Sequence, residues 1–137
     1  MKTSARNQLK GVIKEIIGGK VNDEVVISVE KGLIKAIISK EAVDDMDLAV
    51  GQDIYAIIKA SFVIVSKDKP GKISTRNVLE TTVSDIIHGA VNCELKLSMN
   101  GAMITSIITE EAVKDLEIEL GDTVYALIKA NSIILAQ

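Results

Sequence analysis

Residues 94–100 read ELKLSMN, and this stretch decides the fold class. Leu95, Leu97 and Met99 fall on one face of an extended chain, with Lys96, Ser98 and Asn100 on the other. A side-chain period of two marks a strand with one buried face. The composition agrees with it. Apolar residues make up 47 % of the chain but aromatic ones only 2 %, so Val, Ile, Leu and Ala must build the core. Valine and isoleucine are β-branched and favour strands.

Working outward, the chain aligns with itself at an offset of 70 residues. Residues 4–66 match 74–136 without a gap, and about 25 of the 63 positions are identical, far above chance. SARN (4–7) answers STRN (74–77), and Val21, Asn22 and Glu24 answer Val91, Asn92 and Glu94. AIISKEAV (36–43) answers SIITEEAV (106–113), and YAIIKAS (55–61) answers YALIKAN (125–131). Between the copies lies KDKPGKI (67–73), with the only proline beside a glycine, a linker composition. Two domains are expected, 1–68 and 69–137. Units of this size are near the lower limit for a self-sufficient core, so the halves are expected to pack together or to oligomerise. The copies have diverged in charge. Residues 1–69 carry 11 basic and 10 acidic side chains, a net of +1, and residues 70–137 carry 5 and 9, a net of −4.

The repeat resolves an ambiguity. Leu9, Val12, Ile13 and Ile16 also fit a helical period, but the equivalent TTVSDII (81–87) is β-branched and a poor helix. Helical turns are expected only at KEAVDDMDL (40–48) and EEAVKDLEI (110–118), with Ser39 and Thr109 placed as N-caps. Gly51 and Gly121 then lead into the next strands. The expected class is all-β: two tandem OB-like five-stranded Greek-key barrels, each with one short helix.

Composition excludes several functions. A net charge of −3 argues against a nucleic-acid partner. Cys93 is the only cysteine, too little for an intrachain disulfide or a thiolate metal site, so no residue is expected to ligate a metal cation. No apolar run approaches the roughly 18 residues of a membrane span. MKTSARNQLKG, at the start, has no hydrophobic signal segment, which points to the cytoplasm. No nucleophile–base pair recurs in both copies, so an enzyme is not expected. His88, in place of Gly18, reads as a loop residue, and Cys93 in place of Asp23 suggests no shared redox or metal role. Tyr55 and Tyr125 read as packing at the barrel edge.

The polar residues present in both copies are the site candidates. Ser4, Arg6 and Asn7 enter the first strand, Ser39 follows the third, and Lys59, Ala60 and Ser61 end the fourth. Their counterparts are Ser74, Arg76, Asn77, Thr109, Lys129, Ala130 and Asn131. This set is rich in donors, and no carboxylate recurs inside these short motifs. Such a pocket suits a fully deprotonated oxyanion and disfavours phosphate, which keeps a proton near neutral pH.

Together, SARNQLKG, the VN-E pattern, AIIS-EAV and Y-IIKAS-VIV resemble the molybdate-binding Mop domain of the molbindins, in its tandem form. The resemblance covers nearly the whole chain. It implies OB-like barrels, cytoplasmic storage and homeostasis of molybdate or tungstate, and six domain copies around a threefold axis, here as a homotrimer. It further implies that the Ser-x-Arg-Asn segment of one domain meets the Lys-Ala-Ser segment of another at an interface. Asn131 departs from the family's serine. A second class of sites near the threefold axis would draw on Gly19, Lys20, Val21 and Asn22, with Gly89, Ala90, Val91 and Asn92.

Three rivals remain. An OB-fold that binds single-stranded nucleic acid needs stacking aromatics in a basic groove, which one Phe and two Tyr do not supply. An enzyme lacks its constellation. A molybdate-sensing module of a regulator or transporter uses the same domain, but neither a helix-turn-helix segment nor a phosphate-binding Gly-x-x-x-x-Gly-Lys-Ser/Thr loop is present in the sequence.

Overall fold

A computed structural model describes residues 1–137. The first repeat contains β1 (Asn7–Ile17), β2 (Asn22–Val29), β3 (Gly32–Ser39), α1 (Lys40–Asp45), β4 (Asp53–Ile58) and β5 (Ile64–Ser66). The second contains β6 (Asn77–His88), β7 (Asn92–Met99), β8 (Ala102–Thr109), α2 (Glu110–Asp115), β9 (Thr123–Ile128) and β10 (Ile134–Ala136). A 3₁₀ turn at Ala60–Phe62, and another at Ala130–Ser132, precede the last strand of each repeat. The Lys-Ala-Ser motif therefore opens a tight turn and is not a strand end.

The ELKLSMN stretch lies in β7, where Leu95, Leu97 and Met99 are buried as their alternation requires. β1 is a strand despite its helical period, antiparallel to β2 and to β4. It bulges between Ile13 and Glu15, as β6 does between Val83 and Asp85. A bulge adds twist, which helps to curl the sheet into a half-barrel. At the bulge the Ile13 carbonyl accepts from Gly51, whose φ of +91° a side chain would strain. Both short helices carry the expected caps: Ser39 Oγ accepts from the Ala42 amide and Thr109 Oγ1 from Ala112.

Each sheet has five antiparallel strands, but they do not all come from one repeat. The orders are β10-β4-β1-β2-β3 and β5-β9-β6-β7-β8. β5 leaves its own repeat and pairs with β9, Val65 opposite Ala126, while β10 crosses back to β4, Leu135 opposite Ala56. The reading of five consecutive strands per unit holds for chain order, yet each sheet is completed by the other repeat's last strand. The buried apolar residues of both repeats accordingly form one continuous cluster.

Polar contacts reinforce this reciprocity. Asn7, only 1 % exposed, sends Nδ2 to the carbonyls of Ile58 and Thr105, while Oδ1 accepts from the Thr105 amide at 2.7 Å. Asn77, 2 % exposed, makes the same set with Ile128 and Lys35. Each asparagine thus acts as a one-residue strand joining the two sheets. Beyond the exchanged strands, Lys67 Nζ donates to the Leu116 and Glu117 carbonyls after α2, and Gln137 Nε2 donates to the Met46 carbonyl after α1.

Asn7→Ala would leave the Thr105 amide and carbonyl without this partner. The expected loss is about 1–3 kcal/mol for each buried group left unpaired, read as a lower urea midpoint. Leu135→Asp should raise hydrogen exchange in β4, in the first repeat, more than in β9. The opposite order would contradict the exchanged pairing.

Candidate functional site

β1 begins at Asn7 opposite Ile58 of β4, so residues 4–6 and 59–61 emerge at the same end of one sheet. Ser4, Arg6, Lys59, Ala60 and Ser61 line a single cleft of about 560 Å³. Ile107 of β8 and Ser132 and Ile134 from the exchanged C-terminal segment complete it. The two motifs were expected to meet across domains. In this chain they meet within one repeat, because antiparallel pairing brings the start of β1 to the end of β4. Asn77 stands opposite Ile128 in the same register, so Ser74–Arg76 and Lys129–Asn131 share an end of the second sheet.

Within the 3₁₀ turn, the first bond is donated by Phe62 to the Lys59 carbonyl. The Ala60 and Ser61 amides stand ahead of that bond and have no partner inside the turn. Lys59 Nζ lies 5.1 Å from the Phe62 ring centre, a cation–π contact. Ser132 replaces Phe62 in the second copy, so Lys129 has no equivalent ring.

Two corrections concern the candidate side chains. Asn7 and Asn77 have both Nδ2 hydrogens and Oδ1 engaged in the inter-sheet bridges, so these side chains have no donor left for a ligand. The motifs are also not free of carboxylates in space. Arg6 Nη1 lies 2.6 Å from Glu94 Oε1, and Arg76 reaches Glu24 Oε1 through Nε and Nη2, both at 2.9 Å. Glu24 and Glu94 recur in the VN-E pattern, which was the available signal. They come from the opposite repeat, and only the tertiary structure pairs them with the arginines. The arginine side chains remain 56 % and 54 % exposed, and a guanidinium with five donors keeps several for another partner.

The two ends are not equivalent. Lys96 Nζ lies 3.5 Å from Glu94 Oε2, whereas Val26 holds that position beside Glu24. Lys35 stands opposite Val26 on the neighbouring strand, where the second repeat sets Thr105 opposite Lys96. Each repeat has one lysine in this pair, on opposite strands.

The loops proposed for a threefold axis, Gly19–Asn22 and Gly89–Asn92, join β1 to β2 and β6 to β7. Ser39 and Thr109 sit opposite Asn22 and Asn92, so they belong beside these loops and not in the Lys-Ala-Ser cleft. Arg6 reaches across to line a second hollow of about 330 Å³ with Gly89, Asn92 and Glu94, which draws one repeat's arginine to the other's loop. Lys20, Val21, Ala90 and Val91 are exposed at the loop tips.

Carboxylates secure both loops. The Gly19 amide donates to Asp23 Oδ1, and Lys40 Nζ stands 3.1 Å from the same oxygen. Those two donors, the amide first, hold the Asp23 carboxyl below its ordinary range. In the second repeat the Gly89 amide donates instead to Glu110 Oε2, and His88 Nδ1 lies 2.8 Å from Glu110 Oε1. The His88 contact, followed by the Gly89 bond, lowers the Glu110 carboxyl. Cys93 is buried beside them, and burial, then the nearby Glu110, pushes its thiol up. His88, expected in a loop, instead ends β6 directly opposite Cys93. The structure gathers them with Glu110.

The TOBE domain model matches twice, over residues 3–65 and 73–135. The chain belongs to the TOBE-domain family. A molybdate-bound crystal structure of the cytoplasmic molybdate-binding protein ModG superposes on it with a TM-score of 0.93, at 38 % identity over 99 % of each chain. Molybdenum-pterin-binding protein MopA of Rhodobacter capsulatus is 37 % identical over 99 % of this chain and 52 % of its own. Molybdenum transport protein ModE of Azotobacter vinelandii is 36 % identical over 99 % and 51 %. The chain spans about half the length of these two curated relatives. Its paired TOBE repeats are OB-like and of the tandem molbindin type. No helix is long and apolar enough to cross a membrane.

The lowered carboxyls make the TOBE loops acid-sensitive. A folded-state pKa below the unfolded value of about 4 contributes stability that is full above that value and lost as pH falls through the folded one. Asp23→Asn keeps an acceptor for Gly19 but removes the charge facing Lys40. The variant is expected to melt lower than the parent at pH 7, and its deficit should shrink on acidification towards about pH 2.

Proposed function

We propose that this protein binds molybdate, and tungstate with it, as a cytoplasmic store that buffers the oxyanion. The observation that carries this reading is the likeness to molybdate-bound ModG over essentially the whole of both chains. The cleft supports it chemically. Arg6 and Lys59 supply positive charge, Ser4 and Ser61 supply hydroxyls, and the turn amides of Ala60 and Ser61 supply neutral donors. A tetrahedral dianion presents four acceptor oxygens and no proton, and the polar groups of this half-apolar lining can all donate to it. Glu94 lies nearby, but each of its oxygens already faces a cation, Arg6 or Lys96. The equivalent donors of the second repeat, Ser74, Arg76, Lys129, Ala130 and Asn131, form a related site with a longer amide in place of Ser61.

Assembly as a homotrimer belongs to the same proposal. Val21 with Val91, Val50 with Leu120, and Ile64 with Ile134 are exposed apolar side chains at equivalent places in both repeats. Burying such pairs against other copies would carry the loops Gly19–Asn22 and Gly89–Asn92 to shared axes.

A second reading follows from the match to about half of proteins named ModE, of which the one from Yersinia pestis is described as a transcriptional regulator. In it the same pair of repeats senses the oxyanion within a regulator. Binding of duplex DNA by this chain in a gel-shift assay would favour it.

Calorimetry with molybdate, tungstate, sulfate and phosphate tests the main reading. Heat from the first two, weak competition by sulfate and none by phosphate near neutral pH are expected. Arg6→Ala should weaken its site at least about tenfold, the equivalent of a lost charge-assisted bond of about 1.5–3 kcal/mol. Binding should raise the melting temperature with ligand concentration, and light scattering should report three chains. A silent titration would remove the function, and a monomer would remove the trimer.

A further inference from the structure

We propose that His88, Cys93 and Glu110 form a binding site for one divalent transition-metal cation of the zinc class. His88 Nδ1 lies 2.8 Å from Glu110 Oε1 and 4.0 Å from Cys93 Sγ, and the three donor atoms all fall within 4.8 Å of one another. Tetrahedral zinc takes imidazole and carboxylate at about 2.0–2.2 Å and thiolate at about 2.3 Å, so its donors stand roughly 3.3–3.8 Å apart. The observed separations bracket that range, and small side-chain rotations bring them into it. Imidazole, thiolate and carboxylate together suit zinc and its neighbours better than magnesium or calcium, which select all-oxygen sites.

Comparison of the two repeats gives the reason to expect a cation. In the first repeat the equivalent residues are Gly18, Asp23 and Lys40, and the ammonium of Lys40 is the positive charge on Asp23. A side chain at Gly18 would start 3.6 Å from Lys40 Nζ. The second repeat changes all three positions together. Lysine becomes Glu110, which takes over the loop amide from the aspartate. Aspartate becomes Cys93, a buried soft ligand. Glycine becomes His88, whose Nδ1 faces Glu110 Oε1 at 2.8 Å and Cys93 Sγ at 4.0 Å. Three donors therefore surround the place where the first repeat keeps a positive charge of its own.

The surroundings fit this use. The Gly89 amide donates to Glu110 Oε2 at 2.8 Å and orients the carboxylate, as an outer-shell partner does at metal sites. Cys93 is 0 % exposed, but the His88 side chain is 65 % exposed and gives entry from solvent. Both line the hollow that also contains Arg6. On binding, the cation displaces the Sγ proton to solvent and forms a metal–thiolate bond, leaving a fourth position for water.

Cobalt(II) titration of the reduced full chain, without added oxyanion, tests the site independently of molybdate binding. One ion per chain is expected, with tetrahedral visible bands and a sulfur-to-cobalt charge-transfer band, both displaced by zinc. Cys93→Ser should abolish the charge-transfer band. His88→Gly installs the first repeat's residue at a position where the fold accepts glycine, and should weaken binding by more than the roughly 10–100-fold cost of losing an outer-shell partner. Absence of the charge-transfer band in the parent, or unchanged affinity in His88→Gly, would overturn the proposal.

Discussion

Exchange of the last strand between repeats is the constraint on which the rest of the molecule depends. β4 and β9 each have one neighbour from their own repeat and one from the other. Without β5 or β10, each would expose a row of backbone donors and acceptors along a hydrophobic strand. Asn7 and Asn77 extend the same device to the sheets' other edge strands, β3 and β8, by presenting a side-chain amide where a backbone amide would otherwise pair. Neither repeat completes its sheet alone, and the single shared core follows from that. A repeat of about 65 residues is too small to bury enough apolar surface comfortably. Exchange solves the problem inside one chain.

The same crossing builds the candidate anion cleft. Antiparallel pairing of β1 with β4 brings the Ser-x-Arg-Asn and Lys-Ala-Ser motifs to one sheet end, and the returning C-terminal segment adds Ser132 and Ile134 as its wall. Arg6 then reaches over the repeat boundary to Glu94, as Arg76 does to Glu24. Each pair joins a half-exposed guanidinium to a largely buried carboxylate. Their effect is to fix where each guanidinium points while leaving part of its donor set facing solvent.

Divergence between the copies is concentrated in charge and chemistry and spares the backbone. The strand registers and bulges match, save that β6 runs one residue further and pairs His88 with Cys93. The loop amides of Gly19 and Gly89 each find a carboxylate, but one comes from β2 and the other from α2. In the second repeat the acid sits on α2, position 93 is a cysteine and position 88 a histidine. One structural requirement, an acceptor for a loop amide, is thus met in two ways, and only the second brings a thiol, an imidazole and a carboxylate together.

The strands and the repeat were legible in the residues themselves, because they depend on local periodicity. ELKLSMN alternates, TTVSDII is β-branched, and Ser39 and Thr109 cap the helices where their spacing from the Ala-Val pairs puts them. The donor motifs were legible as well, since recurrence at one interval singled them out. The partner of each edge strand was not, because β5 and β10 are equivalent sequences and either could complete either sheet on local preference alone. Nor was the duty of Asn7 and Asn77: an asparagine that binds a ligand and one that bridges two sheets are the same residue in the same motif. The meeting of Arg6 with Glu94, and of His88 and Cys93 with Glu110, spans 88 and 22 residues of chain at most. Such contacts depend on where the sheets lie in space, which long-range packing decides and no local pattern encodes.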